Sequence, residues 1–210
     1  MGPILRSAVG PEKLWAVNGA LMPLGNKWYT KAAVGPYDQN NPEKARALAK
    51  EAGYKGEVIR YMVTTSYTQH YNASVVLAKQ LKDAGFNIDL QIYDWATLVS
   101  RRAQPNLWDV FFTTHGPVPD PMLYTFMSPA YPGWWDTPRK RQTVTELTSA
   151  LTPAKQMEAM EKFQALFYED VPLIRTGDQF AYDIFAPKVQ GLGTSTYLNF
   201  NRFWNVWASK

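Results

Sequence analysis

Cysteine is absent from this 210-residue chain, and histidine occurs only twice, as His70 and His115. Without cysteine there is no disulfide framework, no thiol nucleophile and no thiolate-held metal centre. Two histidines without HExxH-type spacing give no support to a zinc site, so neither a metal nor a cofactor is expected. Charge of one sign is also scarce, since 22 basic against 18 acidic residues leave a formal net charge of +4. That bias falls well short of a nucleic-acid footprint. The basic clusters Arg101-Arg102 and Arg139-Lys140-Arg141 lie in helical segments without interleaved aromatics and read as solvated faces. No apolar run approaches the roughly 18 residues of a membrane span, and the opening MGPILRSAVG has no secretory h-region. GxSxG elbows, phosphate-cradling glycine loops, internal repeats and low-complexity tracts are all missing.

What is present can build a core, because 46% of the residues are hydrophobic. Residues 1–40 show no sustained periodicity, carry Pro3, Pro11, Pro23 and Pro36, and read as an irregular arm. Regularity starts with NPEKARALAKEAGY. Asn41 caps a helix, Pro42 takes its first position, Ala45, Leu48, Ala49 and Ala52 share a face, and Gly53 ends it. EVIRYMV (57–63) follows as a strand and HYNASVVLAKQLKDAG (70–85) as a helix. In FNIDLQIY (86–93), Phe86, Ile88, Leu90 and Ile92 alternate with polar partners as in a half-buried strand. Strand, helix and strand make a βαβ unit with parallel strands. Asp94 then caps WATLVSRRA, and Thr137-Pro138 and Thr152-Pro153 open two further helices. The second of these turns Met157, Met160, Phe163, Leu166 and Phe167 inward as core. PLIRT (172–176) and QFAYDIF (179–185) read as antiparallel strands. The closing YLNFNRFWNVWASK is too short to bury Trp204 and Trp207 by itself. The expected class is α/β, a mixed sheet with a βαβ unit flanked by helices. One domain is expected: the arm at 1–40, the α/β body at 41–195 and a tail at 196–210.

The stretch WDVFFTTHGPVPDP (108–121) changes character at its centre. Its first half reads as a buried strand; its second cannot continue a ladder, because Pro117, Pro119 and Pro121 have no N–H to donate. Thr113, Thr114 and His115 stand at the junction. A hydrolase reading would pair His115 with Asp109 or Asp120 as acid and base. Asp109, however, lies six residues upstream within the strand, and Asp120 is held in a Pro-Asp-Pro turn. A structural histidine and a ligand-contacting histidine are the other two readings. Aromatics supply a second candidate surface: Tyr67, Tyr71, Tyr131, Trp134 and Trp135 fall in loops or helix starts. They either pack beneath a loop or form a stacking platform for a ligand face.

The order of these segments carries a resemblance. NPEKARALAKEAGY, VLAKQLKDAGFNIDLQIYDWATLVSRR, WDVFF, PDP and EKFQALFYEDVPLI, taken in sequence, resemble the C-terminal half of the family 5 extracytoplasmic solute-binding proteins of ABC transporters. The resemblance runs from about Val9 to Lys210. It implies a type II periplasmic-binding-protein lobe, periplasmic or otherwise extracytoplasmic and not an enzyme, that closes by a hinge on a small-molecule or oligomeric solute. Its partners would be a first lobe of the same protein, toward which the tail returns, and an ABC permease; nucleic acid is not among them. Tyr67, Tyr71, Thr113, Thr114, His115, Trp134 and Trp135 would line the interlobe cleft. Two positions depart from the peptide-binding pattern. Pro117 stands where an aspartate meets the peptide's α-amino group, and TTSYTQHY lacks the arginine that meets its carboxylate. A simple free dipeptide is therefore not the expected ligand.

Overall fold

The computed structural model describes residues 1–182, 184–192 and 203–209. Its regular elements are α1 (Gly2–Val9), β1 (Trp15–Ala16), α2 (Pro42–Glu51), β2 (Val58–Thr64), α3 (Thr68–Asp83), β3 (Asn87–Tyr93), α4 (Trp95–Arg102) and β4 (Val110–Phe111). After these come α5 (Pro138–Ser149), α6 (Pro153–Asp170) and three short strands, β5 (Asp178–Gln179), β6 (Val189–Gln190) and β7 (Trp207–Ala208). Local start signals act as expected. Asn41, Asp94, Thr137 and Thr152 each accept a backbone N–H of the first helical turn, and prolines occupy the first positions of α2, α5 and α6.

The βαβ unit forms the centre. β2 pairs in parallel with β3 on one side and β4 on the other, giving the order β3-β2-β4. The register sets Tyr61 beside Leu90 and Val110, and Met62 beside Gln91 and Phe111. Successive residues of a strand face opposite sides, so the sheet has a Tyr61 face and a Met62 face. On the Tyr61 face lie α1 and α3, and Ile4, Tyr61, Ala73, Ala78, Ile88 and Phe112 form one core. The Met62 face receives α4, whose Leu98 is fully buried.

A second core joins α5 and α6 to stretches that contain no α-helix or β-strand of their own. Leu21, Met22 and Trp28 from the arm, and Phe126, Met127 and Trp135 from the loop before α5, pack on Met160, Phe163, Leu166 and Phe167. Buried Gln164 satisfies the irregular backbone there: its Oε1 accepts from Leu21 N–H at 2.9 Å, and its amide donates to the carbonyls of Thr30 and Ala32 at 3.1 and 2.5 Å. A buried backbone group without such a partner would cost about 1–3 kcal/mol.

Four expectations need correction. The arm is not wholly irregular, because residues 2–9 form α1, with Ile4 and Leu5 buried. One short helix offers too few turns for a periodic signal, and its burial depends on α3. α2 forms where expected, yet no residue in it is buried and Leu48 is exposed. Its cap and the Arg46 bond to the Asp83 carbonyl at 2.7 Å hold it instead. The strands at 172–176 and 179–185 do not pair with each other. β5 pairs antiparallel with β1 in the arm, and Gly177 permits the approach: a Cβ there would sit 2.6 Å from the Ala16 carbonyl oxygen. In the tail, β7 pairs with β6 while Phe203, Trp204 and Trp207 stay exposed; Tyr197 and Phe200 lie outside the described residues.

The fourth correction concerns the basic clusters. Arg139 and Arg141 do reach outward, to Glu169 and Asp136. Lys140 between them is buried, donating to the carbonyls of Met127 and Trp135 at 2.8 and 2.6 Å. Arg101 and Arg102 turn onto the sheet, over the rings of Tyr93 and Phe111.

Candidate ligand-binding crevice

With β2 central, the chain leaves it toward β3 on one side and later returns to β4 on the other. The loops after β2 and β4 therefore part at their carboxyl ends, the position where open parallel sheets usually form a ligand crevice. Thr64 ends β2, and Ser66 organises the turn by accepting the Trp95 N–H on its hydroxyl at 3.0 Å. Tyr67 occupies the N-cap position of α3 without capping it, and its ring is 40% exposed. That ring lies 5.1 Å from His70 and 5.3 Å from Trp95, edge-on to the latter.

His70 ties the two loops together. It is 3% exposed, and its Nε2 lies 3.1 Å from the Thr114 hydroxyl across the crevice. Burial lowers its pKa, so a neutral ring bridges the loops, while its Nδ1 finds no partner among the described residues. Thr113 is half-buried beside the exposed Thr114. His115 comes next, with Nδ1 3.1 Å from the Thr125 hydroxyl and rings of Tyr124, Phe126 and Tyr131 around it at 5.3–6.2 Å.

An arginine closes the belt. Trp95 and Arg102 are the first and last residues of α4, seven apart and so on one helical face. Helical side chains lean toward the N-terminus. The Arg102 guanidinium thus reaches back to lie 5.5 Å from the Trp95 ring, 5.8 Å from Phe111 and 5.6 Å from Tyr131. A continuous surface runs Tyr67, Trp95, Arg102, Tyr131, His115.

Of the residues singled out from sequence, Tyr67, Thr113, Thr114 and His115 meet at this crevice. Tyr71 is half-buried in the first turn of α3, its N–H bonded to the Tyr67 carbonyl, with no ring partner among the described residues. Trp134 is 39% exposed and follows Gly133 in a turn where both have positive φ. It stacks on Trp108 at 5.8 Å, near the start of β4 rather than its carboxyl end. Trp135 departs furthest from expectation: at 8% exposure it belongs to the α5–α6 core and cannot serve as a platform. The turn at Gly133 sends two adjacent tryptophans in opposite directions.

His70, Trp95 and Arg102 also belong to this surface, and no motif in the sequence marks them. The only sequence signal for the last two was their seven-residue spacing on a capped helix.

The acid–base arrangement does not form. Arg60 grips the Asp109 carboxylate at 2.8 and 3.0 Å and holds its pKa low, while Asp120 Oδ1 caps the Met122 N–H at 2.9 Å. Neither acid bonds His115. Burial pulls the His115 pKa down to about 4, helped by the charges of Arg102 and Arg175. The unfolded ring titrates near 6.5. Between those values the unfolded chain binds the extra proton, so His115 makes stability fall as pH drops from about 6.5 toward 4, and is neutral to it above. Thermal melts at pH 7 and pH 5 should show a smaller loss for His115→Gln than for the parent chain. The rings of Tyr124, Phe126 and Tyr131 pack around the imidazole, the charges of Arg102 and Arg175 oppose its cation, and no acid among the described residues bonds it. An equal loss in the variant would show that His115 is not the titrating group.

Residues 13–137, more than half of the chain, match the family model described as bacterial extracellular solute-binding proteins, family 5, middle region. The chain belongs to this family. A probable peptide ABC transporter periplasmic-binding protein of Sinorhizobium fredii is 30% identical over 167 residues, covering 74% of this chain but 32% of the relative. The chain thus spans about a third of that relative's length. Among solved structures, the Helicobacter pylori periplasmic binding protein DppA, in complex with the peptide STSA, superposes with a TM-score of 0.79 at 16% identity. A dipeptide-binding protein from Pseudoalteromonas sp. SM9913, in complex with Met-Leu, gives 0.77 at 15%. Each superposition covers 98% of this chain, and 41% and 42% of the respective structures. The fold is therefore that of the periplasmic binding proteins, and the family is one of binding proteins rather than enzymes. Among the described residues no helix is long and apolar enough to cross a membrane.

Proposed function

We propose that this chain is the C-terminal, ligand-facing lobe of a periplasmic solute receptor serving an ABC importer. The observation that carries the reading is the crevice at the carboxyl ends of β2 and β4, where rings and hydroxyls converge and no acid–base pair forms. A first lobe would cover it by hinge closure. Ligand shifts that equilibrium because only the closed state touches it from both sides, and the permease reads the closed form. Pro117 and the arginine-free loop at 64–71 remove both end anchors of the peptide-binding pattern. The ligand is accordingly not a simple free dipeptide, but a molecule that offers a ring or hydroxyl-rich face to Tyr67, Trp95 and Tyr131.

An NMR-monitored solute screen on the labelled chain tests this. Hits should shift the signals of Tyr67, His70, Trp95, Thr114 and His115 and leave the α5–α6 core unmoved. Hydrolysis of an ester, peptide or glycoside that disappears in His115→Ala would instead establish an enzyme.

A further inference from the structure

We propose that Arg102 is an anion anchor of the crevice and takes a carboxylate of the ligand; this deepens the receptor reading and rests on it. Arg6, Arg60, Arg139, Arg141 and Arg175 each end on a carboxylate, and Arg46 on a backbone carbonyl. Arg102 ends on neither. Its guanidinium lies among the rings of Trp95, Phe111 and Tyr131, with no ion pair and no hydrogen-bond acceptor among the described residues.

Aromatic faces attract the cation but do not replace acceptors along its edge. The five N–H donors of a guanidinium lie in one plane, in a fork that matches a carboxylate with two parallel bonds. Arg102 is partly exposed, and none of its nitrogens is sealed away without a partner, in contrast to Nε of Arg101. Its donors are therefore open to an incoming group while its rotamer is held by three rings, so little side-chain freedom is lost on binding.

The surroundings leave the position to a ligand. Asp109 is engaged by Arg60, and Asp94 and Asp120 cap Thr97 and Met122. Pro117 provides nothing for an ammonium group. On this side of the crevice, one positive anchor without a negative one among the described residues favours a monoanion with a ring or hydroxyl-bearing body, such as a sugar acid or an aryl acid, over a zwitterionic peptide. The anchor comes from α4 rather than from the loop after β2, which is why the arginine-free loop does not imply an uncharged ligand.

Matched probes separate charge from shape. Phenylacetate against phenylacetamide, and glucuronate against glucuronamide, would be titrated into the labelled chain while the Trp95 indole N–H and Thr114 amide signals are followed. In at least one pair the carboxylate should bind about tenfold more tightly than its amide, as a two-pronged ionic pair requires. Arg102→Gln should abolish that preference, and Arg102→Lys, which keeps the charge without the fork, should retain part of it. The lysine variant also serves if the glutamine variant fails to fold. Equal binding within each pair, or a preference that survives Arg102→Gln, overturns the anchor and leaves the crevice standing as the binding site. Absence of any crevice shift with all four probes overturns the anchor, while the receptor reading is decided separately by the solute screen and the hydrolysis assay.

Discussion

Trp135→Ala should cost the fold about 3–5 kcal/mol, the range for removing a large ring from a packed core. The indole is wedged against Phe163 and Phe167 at centroid distances of 5.7 and 6.3 Å. Its Nε1 donates to Asp170 Oδ2 at 2.7 Å, and the Lys140 ammonium sits 4.6 Å above the ring. Truncation therefore opens a cavity, leaves Asp170 with only the long 3.4 Å bond from Thr137, and strips a buried cation of its aromatic face. Urea unfolding should show a lower midpoint with an unchanged slope. Trp134→Ala, one residue earlier on an exposed turn, should lose under about 1 kcal/mol, as surface substitutions do. Equal losses in the two variants would mean that Trp135 is not the core residue its contacts make it.

A two-lobed protein containing this chain should bind its ligand at least about 100-fold more tightly than the 210-residue chain alone, a difference of about 2.7 kcal/mol. One face of a crevice supplies only part of the contacts and excludes little water. Phe180, Tyr182, Ile184, Phe203, Trp204 and Trp207 are all exposed on the C-terminal segments. Large apolar side chains left exposed along these segments mark a surface for a partner to cover, and the proposed first lobe is that cover. Isothermal titration of both forms with one ligand decides the matter. Equal affinities would make this chain a self-sufficient binding module.

Much of the frame was legible in local sequence. Asn41, Asp94, Thr137 and Thr152 announced helix starts because a side-chain oxygen three residues before a free N–H acts at short range. The alternation in 86–93 and the helical spacing in 70–85 gave the parallel βαβ unit, since periodicity reports which face is covered. The run of prolines from Pro117 marked chain that cannot continue a ladder, although β4 is shorter than the strand read there and already ends at Phe111. All of these signals act over a few residues and need no knowledge of the rest of the chain.

What remained hidden depends on residues far apart in the chain. α1 is a helix against α3, and β5 finds β1 rather than its neighbour 172–176, because Gly177 lets two distant backbones touch. Trp134 and Trp135 look equivalent in AYPGWWD, yet a left-handed turn exposes one and buries the other. Arg101-Arg102 read as a solvated pair because its aromatic neighbours come from three stretches of chain, at Tyr93 and Trp95, at Phe111 and at Tyr131. Local chemistry placed the helices and the strand ends. Only the way the loops after β2 and β4 diverge, with α4 laid over the sheet between them, brought Tyr67, His70, Trp95, Arg102 and His115 to one surface.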